Sequence, residues 1–353
     1  LYKGMKKIII GIDVSKKTLD ATAIKLEIEQ LGYTKLDYQV FDNSPMGFRR
    51  MLAWGSKLVP GIALEDVLFI CETTGAYDRA LCDYIFGKGY DIWRESALQI
   101  KESSGLRKGK NDKADSLMIA EYAMRHMDKV HLYQSTDGKI LEVRALLLYR
   151  RKLEQEKTSK LVRVKELKAT AVKSKSLTFI LRDANKSIRA LEKSIAECES
   201  QIQKLINADE DLKKTYTHLD SIKGIGIVNA TALIVYTNNF KNFRTSRQLA
   251  SYYGVASFRN KSGETIDKRA DVSCYSSSML KSYITQAAEC TIKSGGIYKE
   301  YYDRMRAKGK LHGIAINNIK NKLLHLAFSL VANDCDYEEN HEFLRAQRLT
   351  TSA

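Results

Sequence analysis

Residues 6–24 read KKIIIGIDVSKKTLDATAI, and the architecture can be worked outward from them. A β-branched apolar run over 7–14 breaks at Ser15-Lys16-Lys17, and the same texture resumes over 18–25. Two such runs across a short polar break predict a β-hairpin. A third strand is expected over 36–41. Asn43-Ser44-Pro45 then opens a helix to about residue 57, with proline in the first turn, where its missing N–H costs nothing. Further out come a buried strand over 66–71, a helix over 76–87 closed by glycine, and a short strand over 90–94. A helix over 111–126 carries Ala114, Leu117, Met118 and Ala120 on one side. A hairpin followed by strand–helix alternation predicts a mixed sheet covered by helices.

Four acids hold special places in this pattern. Asp13 ends the first apolar run, and Glu72 ends the run in VLFICETTGAYDRAL (67–81). Asp112 and Asp115 lie three apart in KNDKADSLMIAEYA (110–123), so they share one helix face. Taken singly, each has an ordinary reading: Asp112 as a charge favoured at a helix N-terminus, Asp13 as a turn residue. Taken together, they would repel one another and raise each other's pKa unless a cation neutralised them. Hard cations such as Mg2+ or Mn2+ take oxygen ligands, and two of them can clamp the attacking and leaving oxygens of a phosphodiester.

The chain has 353 residues, room for two or three domains, and a formal net charge of +16. That excess points to a nucleic acid, an anionic membrane surface or an acidic protein as partner. No apolar run reaches the roughly 18 residues a spanning helix needs, so nothing is expected to span a membrane, and no membrane is expected as a partner. The apolar core near the N-terminus is too short for a signal peptide, and the four residues before Met5 are set aside as a linker remnant. The six cysteines form no CxxC pair and no Cys/His cluster of zinc spacing, so they are expected to be buried thiols of a reducing compartment.

The texture changes over 137–214, where proline is absent and Lys, Glu, Leu and Ile dominate. Ile188, Leu191, Ile195, Cys198, Ile202 and Leu205 step alternately by three and four, an a/d seam. Two long helices are expected, as an antiparallel hairpin or a dimer-forming coil, with the seam as an oligomer contact. Residues 150–193 hold 14 Lys/Arg against 5 Asp/Glu, an excess suited to an extended phosphate contact. Next, SIKGIGIVNATALIVY (221–236) sets Gly224 and Gly226 between apolar segments, like the hairpin of a helix-hairpin-helix whose amides approach a phosphate. A helix-rich end and a polar tail complete the chain. The expected divisions are 5–135, 136–214, 215–335 and the tail 336–353.

The order D…E…D-x-x-D, with GIDVSK first and CETTGAY second, resembles the RuvC/RNase H class of nucleases. Residues 221–263 add a Gly-rich opening (Gly224 to Gly226), the segment Phe243 to Ala250 ending in Gln-Leu-Ala, the step Tyr253-Gly254 and then Ser262-Gly263. In this order the pieces resemble the insertion-sequence transposases that join a RuvC-like DEDD domain to a C-terminal serine domain (the IS one-ten family, bridge-RNA-guided recombinases). The resemblance implies an α/β RNase H-like N-terminal domain, a helical coiled-coil segment and a mostly α-helical C-terminal domain. It implies a DNA transposase or recombinase with Asp13, Glu72, Asp112 and Asp115 as metal ligands. Ser262 is implied as a nucleophile that forms a covalent phosphoserine–DNA link.

Arg259, Lys261, Lys268 and Arg269 would bind the scissile phosphate and its flanks. The resemblance further implies target and donor DNA, a structured guide RNA, and a homo-oligomer in which the acids of one subunit meet the serine of another. It places the protein in the prokaryotic cytoplasm, beside the nucleoid. One departure is DVSCYSSSMLKS (271–282), which lacks the glycine usual there and leaves Ser273, Ser276, Ser277 and Ser278 as alternative nucleophiles. The rival readings are a junction-resolving nuclease with water as nucleophile, and a basic coiled-coil scaffold without catalysis. The 19 tyrosines show no Arg…His-x-x-Arg…Tyr arrangement and are assigned to packing and base stacking.

Overall fold

The computed structural model describes residues 6–27, 32–75, 77–103, 112–258, 261–262, 266–267, 271–272 and 276–338. The chain divides between Ser135 and Thr136 into two compact units.

The first unit is built on five strands, β1 (Ile8–Val14), β2 (Thr18–Glu27), β3 (Gly32–Asp42), β4 (Val67–Glu72) and β5 (Asp91–Glu95). Their order across the sheet is β3-β2-β1-β4-β5. β1 is antiparallel to β2, and β2 to β3, whereas β1–β4 and β4–β5 are parallel. This mixed order is the RNase H-like arrangement. Ser15 donates its N–H to the Thr18 carbonyl at 2.9 Å, which closes the expected hairpin.

Strand alternation sorts the apolar residues onto two faces. Ile8, Ile10, Ile12 and Val14 pack with α1 (Pro45–Leu58) and α2 (Arg79–Gly87). Ile9, Leu68 and Ile70 pack with α3 (Ala97–Ser103) and α4 (Asp112–Arg125). α1 starts as read, with Ser44 accepting from the Gly47 N–H and Pro45 first in the helix. α2 starts at Arg79, three residues later than expected. Gly75 turns the chain at φ +81, and the Asp78 carboxylate is spent on Arg94 instead of a cap. The short α3 was not anticipated.

The second unit is helical. α5 (Gly138–Thr170) and α6 (Lys175–Asn207) form a hairpin within one chain. Ile188, Ile195, Cys198 and Ile202 of the α6 seam are buried in it, with Leu153 of α5 beside Ile195 and Cys198. The seam is therefore used intramolecularly, which corrects its expected role as an oligomer contact. Heptad spacing selects a helical neighbour but does not say whether that neighbour belongs to the same chain.

The base of this hairpin shares one core with α7 (Glu210–Asp220), α8 (Ile227–Thr237), α9 (Ser246–Tyr252), α10 (Ser278–Lys293) and α12 (His312–Asn333). α11 (Ile297–Ala307) packs on α12. Between α9 and α10 run four two-residue strands, β6 (Ser257–Phe258), β7 (Lys261–Ser262), β8 (Ile266–Asp267) and β9 (Asp271–Val272). They pair as β6–β9 and β7–β8.

Among the described residues no helix is long and apolar enough to cross a membrane. Five cysteines are free, of which Cys71, Cys82 and Cys198 are buried. Cys290 is exposed, contrary to the expectation of buried thiols. Its stretch, AAECTIKS, turns that position of α10 to solvent. Cys274 lies outside the described residues.

Candidate active site

In the parallel pair, Ile12 of β1 stands opposite Cys71 of β4, so Asp13 and Glu72 emerge together at the same sheet end. Both fall on the α4 face, Asp13 by alternation from Ile9 and Glu72 from Leu68 and Ile70. α4 brings Asp112 and Asp115 in its first turn. Ligand oxygens of Asp13, Asp112 and Asp115 all lie within 4.8 Å of one another.

The Asp13 carboxyl is pushed up to about 6, first by burial and then by the charges of Glu72, Asp115, Asp112 and Asp20. Glu72 is thus electrostatically part of the cluster, while three acids have atoms at a common ligand distance. Crowded oxygen donors with a carboxyl forced toward its neutral form are the chemistry a hard divalent cation resolves. The residues present fit such an ion.

α4 reaches the cluster because the sheet leaves room for it. A Cβ on Gly11 would lie 2.3 Å from the Ser116 carbonyl oxygen and 2.5 Å from the Ala120 nitrogen. Only glycine admits the helix at that depth. The buried hydroxyls of Thr22 on β2 and Ser116 on α4 meet at 2.7 Å, which fixes the helix along the sheet.

Sequence reasoning missed Asp20, the buried carboxylate directly opposite Asp13 on β2. Tyr38 donates its hydroxyl to Asp20, and burial and that contact push the phenol up to about 12. Counting outward from the Ser15–Thr18 turn would have paired Asp13 with Asp20.

The remaining predicted residues lie in the second unit. Gly224 (φ +95) packs so closely that a Cβ would lie 2.4 Å from the Thr291 nitrogen. Its glycine is thus required by helix packing. Gly226 precedes α8 as its N-cap, with open space at its Cβ position. Gln248 of the Gln-Leu-Ala motif caps α9, accepting from the Arg244 and Thr245 N–H groups while Thr245 accepts from the Gln248 N–H. Gly254 (φ +65) abuts Ser276, so that glycine too is sterically required.

Lys261 and Ser262 form β7. Their side chains, and Arg259, Lys268, Arg269 and Ser273, lie outside the described residues. Ser277 is the N-cap of α10 without a side-chain bond to its amides, and Ser278 begins that helix. On the hairpin, Arg150 pairs with Glu199 at 2.6 Å, whereas Lys160, Arg163, Lys168, Arg182, Lys186 and Arg189 are exposed.

Two family models match. The DEDD transposase model of the IS110 type covers residues 10–172, and "Transposase IS116/IS110/IS902 family" covers 216–303. The chain belongs to the IS110 family of transposases. It is a DNA-recombining enzyme with a RuvC-like fold, and a DEDD domain on this fold works with divalent metal.

Among relatives, the transposase is 27% identical over 349 residues to the pilin gene-inverting proteins of Moraxella lacunata and Moraxella bovis, covering 96% of this chain and 100% of each of those. It is 26% identical to the insertion element IS110 43.6 kDa protein of Streptomyces coelicolor, over 46% of this chain and 39% of that protein. Thermus thermophilus RuvC in complex with a Holliday junction substrate aligns at TM-score 0.28 and 16% identity, over 36% of this chain and 99% of that one.

Proposed function

We propose that this transposase cuts and rejoins DNA through a serine nucleophile assisted by Mg2+, with Mn2+ as substitute. The supporting observation is the convergence of Asp13, Asp112 and Asp115 within 4.8 Å, with Glu72 raising the Asp13 pKa beside them. In this reading 5–135 is the catalytic DEDD domain, 136–214 a basic helical segment, 215–335 the serine domain and 336–353 a polar tail. Asp13, Glu72, Asp112 and Asp115 would hold the ions, which supply charge neutralisation for the phosphate and lower the pKa of the attacking hydroxyl.

The Ser262 oxygen attacks the scissile phosphorus. A bond from that oxygen to phosphorus forms, the bond to one deoxyribose oxygen breaks, and the serine proton ends on that leaving oxygen. A hydroxyl of the exchanged strand then attacks the phosphoserine, and Ser262 regains a proton. Arg259, Lys261, Lys268 and Arg269 bind the phosphate and its flanks, and Gly226 presents amides at the start of α8 to the backbone.

A structured RNA selects target and donor. The exposed basic face of the hairpin favours this, because it suits recognition by shape and phosphate. The active species is a dimer or tetramer. Leu161, Val162, Val172 and Phe179 near the hairpin turn stay exposed and offer it an apolar contact.

Incubation with DNA and Mg2+ followed by denaturation tests the chemistry. Protein covalently joined to DNA, absent in Ser262→Ala and in Asp13→Ala, is expected. Cutting that survives Ser262→Ala makes the enzyme a water-using nuclease of the junction-resolving kind, and binding without cutting leaves only a scaffold. Sequencing the nucleic acid that purifies with the protein tests the RNA.

A further inference from the structure

A second cluster of metal-binding side chains lies on the sheet face opposite Asp13. Cys71 is the residue before Glu72 in β4, and alternation turns it toward α2. Asp78 and Cys82 stand four apart where α2 begins, and the Cys82 N–H donates to the Asp78 carbonyl at 3.0 Å. Residues at this spacing share a helix side. The two sulfurs are 3.6 Å apart, and a carboxylate oxygen of Asp78 lies within 4.8 Å of both. All three side chains are 0% exposed. Arg94 donates to Oδ2 of Asp78, while Oδ1, equally buried, has no hydrogen-bond partner. A buried carboxylate oxygen left without a partner is costly, and such an oxygen calls for a ligand.

We propose that Cys71, Cys82 and Asp78 hold a thiophilic divalent cation of the Zn2+ class, in a structural site separate from the acidic cluster. Two sulfurs bound at ~2.3 Å to one tetrahedral ion lie about 3.8 Å apart. The sulfurs here are 3.6 Å apart, far beyond the ~2.05 Å of a disulfide. Sulfur donors select zinc over the hard ions that suit Asp13 and its neighbours.

Charge also closes. Two thiolates and the Asp78 carboxylate are offset by the doubly charged ion and the Arg94 guanidinium, which leaves a neutral group fit for burial. On loading, two S–H bonds break, two sulfur–zinc bonds and one oxygen–zinc bond form, and two protons leave to solvent. No electron changes hands. Three protein donors would leave the fourth position of a tetrahedral ion to a small non-protein ligand. The site pins the end of β4 to the first turn of α2 and so holds the strand that presents Glu72. CxxC spacing does not reveal it, because the donors come from a strand and a helix and one is a carboxylate.

The test is metal analysis of the full-length protein purified without chelator, followed by Co2+ substitution. About one zinc per chain is expected, with a near-ultraviolet thiolate-to-cobalt absorption that saturates at about one equivalent. Both should be lost in Cys82→Ser and weakened at least ~10-fold in Asp78→Asn. Both should persist in Cys198→Ser and in Asp13→Asn. Wild-type protein that keeps no zinc and gives no thiolate band with Co2+ overturns the proposal, even where a variant fails to fold. So does an intact mass short by two hydrogens from a Cys71–Cys82 disulfide, or zinc that survives Cys82→Ser and disappears in Asp13→Asn.

Discussion

Gly11 of β1 and Ala120 of α4 are in backbone contact: a methyl added at Gly11 would sit 2.5 Å from the Ala120 nitrogen and 2.8 Å from its Cβ. The helix carrying Asp112 and Asp115 therefore rests on bare strand, two residues from Asp13. At Gly11 nothing larger than hydrogen fits between the two elements that carry three of the four acids.

Gly11→Ala is expected to push α4 outward. Overpacking of this kind costs about 1–3 kcal/mol, and more where backbone must move. Chemical denaturation should show that loss. DNA strand transfer should fall further than stability alone explains, because the acids separate. Unchanged activity would mean that the site tolerates a displaced helix.

Asp115→Asn should separate catalysis from folding. Removing one like charge from the cluster relieves repulsion of ~1 kcal/mol, so the metal-free variant should melt no lower than wild type. Its activity should fall about 100-fold or more, since charge stabilisation by a bound ion is worth several kcal/mol. Mg2+ is expected to raise the melting temperature of the wild type, and that rise should disappear in the variant. A variant that melts lower but keeps the Mg2+ effect would make Asp115 an ordinary structural residue.

The Thr22–Ser116 contact is suited to a double-mutant cycle. Either hydroxyl can donate in this 2.7 Å pair, and the Ser116 hydroxyl also lies within donating distance of the Lys113 carbonyl, at 3.2 Å. Ser116→Ala leaves the Thr22 hydroxyl buried without that partner, at a cost of about 1–3 kcal/mol. Adding Thr22→Val should restore much of the loss, because both polar partners are then gone. Strictly additive effects would show that the two hydroxyls do not depend on each other.

Asp209 ties α5 to α7 and gives the helical unit a pH dependence. It accepts from Lys139 Nζ at 2.7 Å and, as the cap of α7, from the Leu212 N–H at 3.1 Å. The Lys139 contact first, and the Leu212 amide second, hold its pKa below the ordinary carboxylate value. A depressed folded pKa stabilises above the unfolded value near ~3.9 and loses that stabilisation as pH falls through the folded value. Asp209→Asn keeps a capping oxygen without the charge, so its deficit should be present at neutral pH and close as pH falls below the ordinary carboxylate range and through the lowered folded value. Asp209→Ala should lose about 1 kcal/mol more through the missing cap. A deficit in Asp209→Asn that stays constant down to acid pH would remove the charge from the account.

Much of the first unit was legible because its signals are local. The β1–β2 hairpin, the proline-led α1 and the glycine-closed α2 follow from residue types within a few positions of each other. The acids were legible as carboxylates at strand ends and a helix start. Asp20 was legible only by counting the hairpin register outward from the turn, because its residue type by itself does not place it beside Asp13. The α6 seam was legible as a packing face, but its partner was not, since apolar spacing is the same for a neighbour in the same chain or another. Gly224 and Gly254 stood out as motif residues. Their steric cause, close approach to Thr291 and Ser276, appeared only once distant helices were in place.

From its order of residues alone, this protein had settled a mixed sheet, a basic helical segment and the order of carboxylates and glycines that resembles the IS110 transposases. Periodicity and turn chemistry act over a few residues, so they are written in the chain. The parallel pairing of β1 with β4, the seating of α4 on Gly11 and the meeting of Cys71 with Asp78 and Cys82 were decided only in three dimensions. Each depends on close packing between segments far apart or differently oriented, where a fraction of an ångström determines which atoms can share a ligand.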